Sequence, residues 1–80
     1  MTTEQAIAVV EALRKELRIP KAMRVSTAEQ AIVAYKPDPE APGPPEDRLA
    51  WIVTLCSPLG FVHVDVDDTT AAVLDVQRSA

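Results

Sequence analysis

The chain has 80 residues, 48% of them apolar and 25% charged, with eight Lys and Arg against twelve Asp and Glu for a net charge of −4. That is the composition of one small globular domain, and it excludes a large active-site cleft with walls of its own. Nucleic-acid and anionic-membrane binding both want a positive patch, and the only locally basic stretch, Arg14 to Arg24, is diluted by Glu11 and Glu16.

The chain opens Met1-Thr2-Thr3-Glu4-Gln5, with neither a positive n-region nor an apolar h-region. No signal peptide is expected, so the chain as written is expected in the cytoplasm, or outside the cell if it is a trimmed piece of an exported protein. Thr2 is placed to cap a helix, and Gln5 three residues later completes a capping box. Ile7, Val10, Leu13 and Leu17 recur at helical spacing, with Ala6 and Val9 widening the stripe. Acid comes early and base late, as the helix dipole prefers. Pro20 stops the pattern, so a helix is predicted over 3–18.

Residues 24–36 read as a strand, and its β pattern is carried by Ala31-Ile32-Val33-Ala34-Tyr35. Five of the seven prolines then fall between Pro37 and Pro45. This segment is expected to be a stiff, extended loop tip between two strands. Pro39, Pro42 and Pro45 also make overlapping PxxP spacings, the form taken by ligands of aromatic-grooved domains. Further strands are predicted at 48–56, 61–66 and 72–77, with turns at 57–60 and 67–70.

Alternation assigns the faces. A four-residue turn pairs Cys56 with Phe61, Thr54 with His63 and Ile52 with Asp65. One face then carries Leu49, Trp51, Val53 and Leu55 beside Val62, Val64 and Val66; a one-residue slip would bury His63 and Asp65 instead. In the last strand Ala72, Leu74 and Val76 should join this core side through an odd-length connection with a bulge. The predicted fold is α+β, a single domain over 1–80 with one N-terminal helix on one face of a four-stranded antiparallel meander.

Little in the chain points to catalysis. Asp65-Val66-Asp67-Asp68-Thr69 fits the DxDxT pattern of haloacid-dehalogenase-type phosphatases, which carry it at the start of a far longer α/β chain; a polar turn explains it here. The same acids lack the glycine of a tight calcium loop. His63 is the only histidine, so two-histidine zinc motifs are excluded, and Cys56 has no second cysteine to pair with. Gly43 and Gly60 are the only glycines, so no phosphate-binding glycine loop exists. Cys56, His63 and Asp65 share the outer face, but an open sheet face supplies no oxyanion hole and excludes no water. No enzyme activity, metal or cofactor is expected. Trp51 is read as core packing. The outer face, with Ala50, Ile52, Phe61 and His63, is read as a partner-binding surface. The alternative is that the loop 37–47 folds across it.

Several segments resemble a known family. Thr3-Glu4-Gln5-Ala6-Ile7 looks like the helix opening of PepSY-type domains. Ala31-Ile32-Val33-Ala34-Tyr35-Lys36-Pro37 and Arg48-Leu49-Ala50-Trp51-Ile52-Val53 resemble the "LVxYxP … RLAWxV" stretch of fungalysin/thermolysin-type propeptides. Val62-His63-Val64-Asp65-Val66 resembles their "vyVDA" strand, Ala72-Val73-Leu74 stands where they have "GEVL", and their turn "DAxTGEV" is met here without its glycine and about two residues longer. The resemblance implies a cystatin-like half-sheet on a helix and a non-enzymatic module that binds a protein, with a peptidase modulated or inhibited in trans as the implied partner. The alternative reading is a structural domain that self-associates into a homo-oligomer.

Overall fold

The N-terminal capping box forms: Thr2 Oγ1 accepts the Gln5 N–H at 3.2 Å, and Gln5 Oε1 accepts the Thr2 N–H at 2.8 Å. In the computed structural model, which describes residues 1–79, it opens helix α1 (Thr3–Ala12). Ala6 and Val10 are fully buried beneath it. The helix is shorter than the expected 3–18. From Leu13 the chain runs on in irregular turns, and Arg18 takes a left-handed φ of 56°. Arg14 holds this exit, with its guanidinium on the Glu11 carboxylate and on the Pro20 carbonyl at 2.9 Å. The early ending is a packing outcome: it turns Ile19 down into the core, which a straight continuation would not do. Lys15 and Arg18 therefore lie beyond the helix, and only Glu4 meets the dipole preference.

Four strands follow, β1 (Arg24–Tyr35), β2 (Glu46–Ser57), β3 (Gly60–Asp67) and β4 (Val73–Arg78), paired antiparallel in the order β1-β2-β3-β4. The meander is the one expected, and Cys56↔Phe61, Thr54↔His63 and Ile52↔Asp65 pair in the expected register. The β2–β3 turn is tight, and Gly60 sits in it with φ of 156°, a backbone state that side chains avoid. β1 and β2 are twice as long as β4, so their hairpin reaches past the rest of the sheet.

The helix-side face carries the core: Val53, Leu55, Val62, Val64 and Val66 are buried against Ala6, Val10 and Ile19. Val25 and Ala28 both reach it from β1 because a bulge between Val25 and Thr27 resets the alternation. Two expectations change here. Val76 joins the core side, but Val73 joins it in place of Ala72 and Leu74, because a bulge leaves Leu74 unpaired between Val66↔Val73 and Asp65↔Asp75. Leu49 lies on the helix-side face yet is 42% exposed, because α1 is too short to reach the extended end of the β1–β2 hairpin. No helix among the described residues is long and apolar enough to cross a membrane.

Candidate functional site

On the outer face, cross-strand pairing sets out rows of side chains. One row runs Glu29, Ile52, Asp65, Asp75 from β1 to β4; the next runs Thr27, Thr54, His63, Gln77. A third places Cys56 beside Phe61, with Arg24 on the β1 side. The Phe61 and His63 rings lie 4.6 Å apart between centroids, tilted at 53°. Phe61 is 39% exposed, Cys56 is exposed, and Ile52 and His63 are half-buried.

The loop between β1 and β2 closes on its own base. Lys36 Nζ donates to the Gly43 carbonyl at 3.0 Å, and Asp38 accepts from the Glu40 and Ala41 backbone. With Tyr35 and Glu46 it encloses a shallow pocket of about 260 Å³ at the far end of the hairpin. Neither Ile52 nor Phe61 lines that pocket.

Of the four residues expected to meet a partner, Ile52, Phe61 and His63 sit together on the outer face. Ala50 is on that face too but is fully buried, a correction to its expected role. It is flanked by Ala31 and Asp67, and Arg48 reaches over to Asp67 Oδ2 at 2.5 Å. A side chain this short is overtopped by such neighbours and offers a partner nothing to touch.

Three carboxylates here have different fates. Asp67 is 1% exposed; the Thr70 and Thr69 N–H groups, at 3.0 and 2.8 Å, and the Arg48 guanidinium hold its pKa below the usual range. Asp68 points to the helix side, where Trp51 Nε1–H donates to it at 2.8 Å; with the N-terminal ammonium and Gln30 Nε2 that bond lowers its pKa. Asp65 has the opposite environment: burial, then Asp75 directly across the strand, raise its pKa, against a smaller lowering by His63. Glu29, Asp65 and Asp75 enter no ion pair among the described residues.

The Asx-type turn at Asp67 was legible from the spacing of Asp67, Thr69 and Thr70. The convergence of Trp51, Gln30 and the N-terminus on Asp68 was not, since it joins groups 17, 38 and more residues apart. Cys56 and His63 share the face without a hydrogen bond between them: His63 Nδ1 is bonded to Thr54 Oγ1 at 2.7 Å, and Cys56 is paired with Phe61. The described residues bring together no group of three or more His, Cys, Asp or Glu able to hold a metal ion. Comparison of the chain with protein-family models, curated proteins and solved structures finds no match.

Proposed function

We propose that this domain is a non-enzymatic protein-binding module that works through its outer sheet face. The observation that carries the reading is the composition of that face. Ile52 supplies apolar contact within the face and Phe61 at its β2–β3 turn end, and Glu29, Asp65 and Asp75 form an acidic row without ion-pair partners among the described residues. A monomeric domain gains nothing from two carboxylates set directly opposite each other. A partner presenting Lys or Arg around an apolar centre would relieve that repulsion and cover Phe61.

The peptidase-modulating role rests on the resemblance of residues 31–37 and 48–53 to fungalysin/thermolysin-type propeptides.

The test is affinity capture from native extract with the wild-type chain beside the Ile52→Asp/Phe61→Asp variant. A specific protein held by the wild type, released by rising salt and lost in the folded variant, is the expected result. A partner held equally by both would refute the assignment to this face.

A further inference from the structure

The two edges of the sheet are built differently. β4 is short, carries a bulge at Leu74, and holds Asp75 and Arg78. Those are the usual devices that keep a sheet edge from pairing. β1 is the other edge and spans twelve residues. Its first half is guarded by Arg24 and by the bulge between Val25 and Thr27. Its second half has no bulge, no proline, and from Gln30 to Tyr35 no charge. At that unguarded stretch stands Ile32, 65% exposed on the helix-side face, with Leu49 across the strand at 42%. The edge therefore offers unpaired backbone donors and acceptors beside an apolar pair that α1 does not cover.

We propose that the occupant of this edge is a second copy of the chain, paired antiparallel through the same half of β1 about a two-fold axis at Ile32. The match is in the strand itself. In an antiparallel pair, directly opposed residues share a face, so a two-fold axis through one residue fixes every other pairing. Centred on Glu29, the strand would set two carboxylates against each other. Centred on Ala31, it would set Gln30 against Ile32 of the second copy. Centred on Ile32, it sets Ile32 against Ile32, Ala31 against Val33, and Glu29 against Tyr35, with no like charges opposed. Leu49, Ile32 and their two counterparts then form one unbroken apolar row on the helix side. The two four-stranded sheets become a single eight-stranded one. The outer face of each copy stays free, so this assembly is independent of the partner face described above.

Size-exclusion chromatography with light scattering on the full chain tests it. The wild type should approach twice the monomer mass as concentration rises, and Ile32→Lys should stay at the monomer mass with unchanged circular dichroism. Ile32 is exposed, so the lysine leaves the core intact. The register has its own test in a Cys56→Ser background. Ile32→Cys should be oxidised to a disulfide-linked dimer, because residues opposed at the axis bring their Cβ atoms within about 5 Å. Leu59→Cys, at a 94% exposed turn position, should not. A wild type that is monomeric at every concentration would overturn the proposal, including one that instead binds an unrelated extended peptide along β1. So would an Ile32→Lys chain that still dimerises, or a dimer abolished by Ile52→Asp/Phe61→Asp, which would move the contact to the outer face.

Discussion

Asp65, Asp67 and Asp68 lie within four residues of one another and respond to pH in opposite senses. Asp67 and Asp68 have folded pKa values below their unfolded ones. They stabilise the fold above the unfolded Asp pKa, and that contribution is lost as pH falls through their folded values. Asp65 is raised, so its ionisation opposes folding, and the cost grows as pH rises from the ordinary Asp range through its folded value. Asp75→Asn removes the facing charge. The expected result is a lower Asp65 pKa, read by NMR titration of its side-chain carboxyl carbon, and a higher urea midpoint at neutral pH. An unmoved Asp65 titration would mean that Asp75 does not act on it. Ala71 makes a second case at this scale. Its φ of 63° is a state that costs a non-glycine residue about 1–2 kcal/mol. Ala71→Gly should raise stability by about 1 kcal/mol after the added unfolded-state entropy, measured by denaturant unfolding. A destabilised variant would contradict this turn geometry.

At the scale of elements, the core rests on β2 and β3. Leu55 is the largest fully buried side chain, set between Val25 and Val62 on its neighbouring strands and beneath the helix. Leu55→Ala should cost about 2–5 kcal/mol, comparable with the whole margin of so small a domain. A melt within a few degrees of wild type would show that this face is not the core. The β2–β3 hairpin was legible because strict alternation over both strands permits one register only. The helix start was legible for a similar reason, since Thr2 and Gln5 satisfy each other locally. What was not legible depends on tertiary contacts. The helix ends at Ala12 because Ile19 is drawn into the core. The β4 bulge selects Val73 over Leu74 because the strand must meet Val66 across a tight turn closed by the Asp67 N–H on the Ala72 carbonyl. No periodicity within a six-residue strand encodes that choice.

For the whole molecule, one short helix cannot cover both faces of a four-stranded sheet, and it does not reach the end of the long hairpin. The open outer face was legible from alternation, and so was the gathering of Ile52, Phe61 and His63 on it. The burial of Ala50 was not, because it follows from the Arg48–Asp67 bridge formed across strands. The exposure of Ile32 and Leu49 was not legible either, since their residue types alone argue for a core. The two surfaces make separable demands: the outer face calls for a basic, partly apolar partner, and the β1 edge for a like strand. Capture from native extract with three baits, the wild type, Ile52→Asp/Phe61→Asp and Ile32→Lys, decides whether the outer face holds a partner. A specific protein should be bound by the wild type and by Ile32→Lys, weakened by salt, and lost from Ile52→Asp/Phe61→Asp. The same protein retained by the folded Ile52→Asp/Phe61→Asp bait would contradict that expectation.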